Sequence, residues 1–296
     1  MNKKNRTKTF SFVLLLLLIF GLMGFDLITR SDAVEAATPN QVLRFVQLTD
    51  VHIDLRDKPS GKRLLSQSRG LLANAVATIN SMNVDFAVFS GDSINSPREK
   101  SLTSFAQIAS QLNCPWYVAL GNHDIAVYGS LTKGKFFELL NQVNRFQKNT
   151  SPYYSFVPKK GYLIVVMDGV IDSRATAHGN FDRQQLNWLE EQLTNNRDSK
   201  VIIVQHFPLI EPTKSYDHDV VNKKEYLDLL NKYSNVVAVL SGHYHAEKVR
   251  KVGSITHIST PALVEFPSRF RVITITDNNN QLKLDTELVS VTVNVY

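Results

Sequence analysis

The sequence predicts an α/β fold in which crossover helices cover a β-sheet core. Two features carry this reading. From Val42 onward, short β-prone apolar runs alternate with stretches whose apolar residues recur at helical spacing. Five of the apolar runs also stop just before a polar, metal-capable residue: Asp50, Asp92, Asn122, His206 and His243. In open α/β sheets the carboxyl ends of the strands are where ligands gather.

Each element has its own warrant. Val42–Leu48 reads as a strand running into Thr49-Asp50-Val51-His52, and Leu64, Leu65, Leu71, Leu72, Ala75, Val76, Ile79 and Met82 then mark one face of a helix. Val84–Phe89 leads into Ser90-Gly91-Asp92, a helix follows around Glu99–Leu112, and Trp116–Leu120 runs into Gly121-Asn122-His123-Asp124. The segment Ile125–Thr150 is a helix-containing excursion with Phe136, Phe137, Leu139 and Leu140 on its apolar face. Tyr153–Phe156 and Tyr162–Met167 flank a turn, and Asp182 is placed to cap the helix Gln184–Leu193. Val201–Gln205 ends at His206. A helix at Lys223–Tyr233 precedes the strand Val236–Leu240 and then Gly242-His243-Tyr244-His245. The rest is strand: Lys248–Val252, Ser254–Ser259, Phe270–Thr276 and Leu282–Val293, with a polar turn at Asp277–Asn280. No repeat or linker divides the chain, so residues 37–296 read as one domain.

Residues 1–36 are set apart. Lys3, Lys4, Arg6 and Lys8 form a basic start, and Phe10–Phe25 is an apolar run closed by Asp26. At sixteen residues the run is short for a spanning helix, which needs about 20, and fits the core of a secretory signal, with cleavage expected after Ala36. The long Asp26–Glu35 spacer leaves an uncleaved N-terminal membrane anchor as the alternative. Either way the domain is expected to be exported: secreted, periplasmic or held on the outer face of the cytoplasmic membrane. The leader carries five of the 33 Lys/Arg and three of the 27 Asp/Glu, so the domain keeps a net charge of +4. With no dense basic run, this charge gives no nucleic-acid signal. Cys114 is the sole cysteine, so stability must come from the core rather than from an internal disulfide.

The polar residues at the strand ends form a set: Asp50, His52, Asp92, Asn122, His123, His206, His243 and His245. Five of the eight histidines fall in it. Oxygen and imidazole donors without thiolates suit Mn, Fe or Zn ions rather than a cysteine-type structural zinc site. On extended backbone, Asp50-x-His52 and His243-x-His245 would each project both side chains to one face. Gly121 is expected to supply backbone freedom where the chain leaves its strand.

In this order, Asp50-x-His52, Gly91-Asp92, Gly121-Asn122-His123-Asp124, His206 and Gly242-His243-x-His245 resemble the calcineurin-like metallophosphoesterases. Within them the pattern is most similar to the class III cyclic-nucleotide phosphodiesterase and glycerophosphodiesterase branch. The resemblance covers Val42 to about Ser259 and fills every position of the pattern. It implies a four-layer αββα sandwich of two mixed sheets with a dinuclear metal site at the strand C-terminal ends. By position, Asp50, His52 and His245 would hold one transition-metal ion, Asn122, His206 and His243 a second, and Asp92 would bridge them. A metal-bridging hydroxide would then attack a phosphate ester, with His123 protonating the leaving group and Asp124 orienting His123. A small phosphate ester is the implied substrate, either a monoester or a diester.

Some positions depart from relatives. Purple acid phosphatases have glycine and tyrosine where this chain has His52 and Asn95, so a tyrosinate–iron site is not expected. Gln205 stands where many relatives have a histidine before the ligand histidine. Other groups take plainer readings: His178 as a surface-loop histidine, His218 and His257 as exposed or in-sheet, Asp168 as a turn residue or a support behind the ligands, and Asp54 as a carboxylate near the site without a role. Two alternatives from other classes stand beside the hydrolase: a nuclease acting on extracellular nucleic acid, and a binding protein that keeps the fold without turnover.

Overall fold

The computed structural model describes residues 41–56, 61–146, 148–215, 217–278 and 281–292. The leader expected over residues 1–36 lies outside them. Eleven strands and five α-helices are present among the described residues. In chain order they are β1 (Gln41–Leu48), α1 (Ser68–Asn80), β2 (Phe86–Ser90), α2 (Glu99–Ala109), β3 (Trp116–Ala119), α3 (Lys133–Val143), β4 (Tyr154–Phe156), β5 (Tyr162–Val166), α4 (Arg183–Asn195), β6 (Lys200–Val204), α5 (Lys223–Leu230), β7 (Val236–Ser241), β8 (Lys248–Val252), β9 (Ile255–Ser259), β10 (Arg269–Asn278) and β11 (Gln281–Ser290).

The strands form two mixed sheets, ordered β11-β10-β1-β2-β3 and β4-β5-β6-β7-β9-β8. The first is parallel across β1, β2 and β3 and antiparallel at β10 and β11. The second is parallel from β5 to β9, with antiparallel edges at β4 and β8. One continuous apolar core takes in strands of both sheets and the buried faces of the helices. Helix α2 touches α1 and α3, and α4 touches α5, giving the four-layer αββα sandwich. Asp182 caps α4, its side chain accepting from the Gln185 amide, and Thr132 caps α3 in the same way.

Buried polar ties join the sheets. Gln47 on β1 donates to the Ser241 carbonyl on β7 at 3.0 Å and accepts from Thr260 at 2.8 Å. The Tyr154 hydroxyl on β4 donates to the Val118 carbonyl on β3 at 3.0 Å. Because β1, β2, β3, β6 and β7 all end at the same edge of this sandwich, residues about 190 positions apart in sequence meet there. Strand β11 stops at Ser290, short of the expected Val293, which lies outside the described residues.

Candidate metal centre

Asp50, Asp92, His206 and His243 each lie two residues past a strand end, and Asn122 lies three past β3. The backbone there is not the extended chain that the Asp-x-His spacing suggested. Among the described residues, five non-glycine residues have positive φ: Asp50 (52°), His52 (49°), Asp92 (53°), His243 (71°) and His245 (54°). All five belong to the set read from the sequence. Left-handed backbone is costly for residues with a Cβ and clusters where function demands it. Here it turns the side chains inward, work that strand alternation had been expected to do.

The imidazoles and carboxylates converge in overlapping groups. Donor atoms of Asp50, His52 and His245 lie within 4.8 Å of one another, as do those of Asp92, His206 and His243, and those of His52, Asp92 and His123. Asp92 Oδ2 stands between the first two groups, 3.6 Å from His52 Nε2 and 3.3 Å from His206 Nε2. Its other oxygen accepts from the His123 amide at 2.8 Å. Asp50 Oδ2 accepts from the Thr49 hydroxyl and the His243 amide, which leaves Oδ1 facing His245 Nε2 at 3.2 Å. The buried Asn122 Oδ1 has no hydrogen-bond partner among the described residues. An unpaired buried amide oxygen is costly in an apolar interior, and suits a cation.

Two glycines admit this crowding. A Cβ on Gly121 would sit 2.2 Å from Asp92 Oδ1 and 2.3 Å from the Asp92 amide nitrogen. Close approach, rather than a positive φ, is therefore what Gly121 provides. Gly91 combines both demands, with φ at 98° and a Cβ position 2.4 Å from His206 Nδ1.

Outer contacts fix the rings. His206 Nδ1 lies 2.9 Å from the Ser90 carbonyl, and His245 Nδ1 lies 2.6 Å from Glu265 Oε1. Each Nδ1–H donates outward and turns Nε2 toward the centre. His123 Nδ1 is 2.8 Å from the Asn95 carbonyl, so Nε2 is the nitrogen left to the site. Asn95 is itself held: its amide donates to Asp54 at 2.8 Å and accepts from Arg63 at 3.0 Å. Asp54, left without a role by the sequence, takes both Arg56 nitrogens at 3.0 and 2.8 Å.

Asp124 does not orient His123 as expected. Its two oxygens accept from the Ile94 and Gly121 amides at 3.1 and 2.8 Å, bracing the loop that carries Asn122. Burial and the nearby Asp92 charge push its carboxyl up to about 8. The reason for the difference is geometric: a carboxylate that closes its own turn faces that turn's amides rather than the neighbouring ring.

Charge in the cluster is divided. Burial works against ionisation of Asp50 and Asp92, yet the histidines around them hold both carboxyls well below the ordinary range. Burial opposes the charge on His206 and His245 as well, but Asp92 and Asp50 respectively raise them to about 9 and about 10. Burial wins at His243, lowered to about 3, and at His52, also held low. In the cation-free protein, protons on His206 and His245 therefore balance the two aspartates. Metal ions fit here because their charge can replace those protons, and the N/O donor set is one that Mn, Fe or Zn accepts.

Three contributors were not read from the sequence. Glu265 lies twenty residues from its partner His245, and Asn95 acts through a backbone carbonyl, so neither leaves a spacing signal. His218, expected to be exposed or in-sheet, packs its ring 5.1 Å from that of His243. His178 pairs with Asp219 at 2.7 Å, Asp168 is tied to Lys133 and the Val170 amide, and His257 is buried within β9, all in keeping with their plainer readings.

A family profile described as calcineurin-like phosphoesterase matches residues 43–247, the stretch that carries all of these strand ends. The chain belongs to the calcineurin-like phosphoesterase family. It is accordingly a metallophosphoesterase. Among curated relatives of this phosphoesterase, a probable glycerophosphodiester phosphodiesterase of Arcobacter nitrofigilis is 30% identical over 209 residues, 68% of this chain and 71% of the relative. A 3′,5′-cyclic adenosine monophosphate phosphodiesterase of Haemophilus influenzae is 24% identical over 225 residues, 75% of this chain and 76% of the relative. The fold matches a dimetal phosphatase from Danio rerio with a TM-score of 0.63 at 16% identity, over 84% of this chain and 99% of that one.

Proposed function

We propose that this phosphoesterase is an exported hydrolase of small phosphodiesters and phosphomonoesters, acting without a covalent enzyme intermediate. The position of Asp92 Oδ2 between the two ligand groups carries the proposal, because one carboxylate serving both groups is what a paired-cation centre requires. Asp50, His52 and His245 would hold one ion, and Asn122, His206 and His243 the other. When bound, such ions would supply Lewis acidity to the phosphoryl oxygens and lower the pKa of a nucleophilic water.

The chain's own residues supply the rest. The Asn95 carbonyl accepts a hydrogen bond from His123 Nδ1–H and fixes the ring, so that Nε2 is the nitrogen turned to the site, where its proton would go to a departing alkoxide. Glu265 and the Ser90 carbonyl keep His245 and His206 turned inward. The Asp50 and Asp92 carboxylates would be offset by bound cations once the protons on His206 and His245 leave. Glycerophosphodiester and cyclic-nucleotide hydrolysis in the relatives supports the diester side of the reading, and the basic, apolar start of the chain supports export.

Metal-reconstituted protein assayed on an aryl monoester, an aryl diester, cyclic AMP and a glycerophosphodiester tests the proposal. Hydrolysis of at least one ester, lost in Asp92→Asn, is expected. Unchanged hydrolysis by Asp92→Asn would overturn it, and no turnover of any ester would favour the binding-protein alternative.

A further inference from the structure

Beside the metal centre lies a groove of 470 Å³ between the loop at 211–215, the start of α5 and strand β8. Lys214, Lys223, Lys248 and Arg250 line it together with Glu211 and Asp219. Both carboxylates are already engaged, Glu211 by Lys223 and Asp219 by His178. Among the described residues, Lys214, Lys248 and Arg250 have no ion-pair partner, so the groove keeps an excess of positive charge. Lys248 and Arg250 are two apart on a strand and share one face.

Edge strands often carry charge simply to block pairing with another chain, and Lys251 on the opposite face of β8 can do that. That role does not explain why Lys214, from a separate loop, joins the other two around one concavity. A short chain of side-chain contacts also links the groove wall to the candidate metal centre. Ser215 on its wall is 3.0 Å from His218 Nδ1, and the His218 ring is 5.1 Å from His243. Strand β8 itself begins three residues after His245.

We infer that this groove is an anion subsite that takes a second phosphate, carried on the same substrate at some distance from the phosphate being hydrolysed. The inference rests on the phosphoesterase reading above and narrows its substrate class to esters with a second, non-scissile phosphate. Lys214, Lys248 and Arg250 would bind that phosphate through charge-assisted hydrogen bonds, while the strand-end residues handle the ester itself.

The test compares two p-nitrophenyl esters of thymidine 5′-phosphate, one with a free 3′-hydroxyl and one with a 3′-phosphate, on the metal-reconstituted full chain. The 3′-phosphate is expected to lower KM by about tenfold, as a few charge-assisted contacts would. The double variant Lys248→Gln/Arg250→Gln should lose that preference while turning over bis(p-nitrophenyl) phosphate like the wild type. Equal KM values for the two esters, or a preference that survives in the variant, would overturn the inference. Calorimetric binding of thymidine 3′,5′-bisphosphate against thymidine 5′-monophosphate, in wild type and variant, decides the groove without any turnover. Tighter bisphosphate binding that the variant loses supports the subsite even if no ester is hydrolysed, an outcome that would sink the phosphoesterase reading alone.

Discussion

Glu265 accepts a hydrogen bond from His245 Nδ1 at 2.6 Å, and Nε2 of the same ring faces Asp50 Oδ1 at 3.2 Å. A carboxylate behind an imidazole fixes its tautomer and makes the inward nitrogen a better donor. Removing such a partner elsewhere weakens metal affinity by about 10–100-fold. Glu265→Gln is therefore expected to lower affinity at the ion held by Asp50, His52 and His245, and to spare the other. Metal titration followed by elemental analysis would show one ion retained; two ions bound as in the wild type would contradict the role given to Glu265.

Asn122 and His123 are neighbours with different duties. Asn122 presents an unpaired buried oxygen, whereas His123 is held by the Asn95 carbonyl. Asn122→Ala should lose metal. His123→Ala should keep both ions yet slow turnover about 10²–10⁴-fold, the usual worth of a positioned general acid. The loss should be largest for esters with poor leaving groups, which need the proton most. A His123→Ala enzyme equally impaired on nitrophenyl and alkyl esters would rule out proton donation.

Cation binding should be linked to pH through His206 and His245, raised to about 9 and about 10 by Asp92 and Asp50 against the effect of burial. Below those values each ring carries a proton that an incoming ion must displace. Affinity should therefore rise with pH, by about tenfold per pH unit for each proton released, and level off above the higher pKa. Calorimetry in buffers of different ionisation enthalpy would count the protons; an affinity flat between pH 6 and 8 would contradict the linkage.

His257 offers a second pH effect, away from the centre. Burial, aided by Arg250, lowers it to about 4. The folded protein keeps this ring neutral while the unfolded chain protonates it near 6.5. The group therefore favours the unfolded state as pH falls from about 6.5, and the penalty is complete below about 4, where it reaches about 3 kcal/mol. His257→Gln should lose less stability than the wild type between pH 7 and pH 4 in urea unfolding. Parallel losses in the two proteins would assign the acid sensitivity to other groups.

The order of strands and helices, and the polar residues at five strand ends, were legible in the sequence because they depend on local periodicity and on where apolar runs stop. Asp50-x-His52 and Gly242-His243-x-His245 are short-range patterns, so the metal-capable set could be read without coordinates. Tertiary structure decided the rest. Left-handed backbone, not strand alternation, aims Asp50, His52, Asp92, His243 and His245 inward. Gly121 is small because Asp92 lies against it, and Asp124 closes its own loop while the Asn95 carbonyl orients His123. Glu265 and His218 reach the centre only because the segment between β9 and β10 and the residues around His218 meet the chain that follows β7. Periodicity records which face of an element is buried. Which residues meet across two sheets depends on how the sheets pack, and no local pattern encodes that.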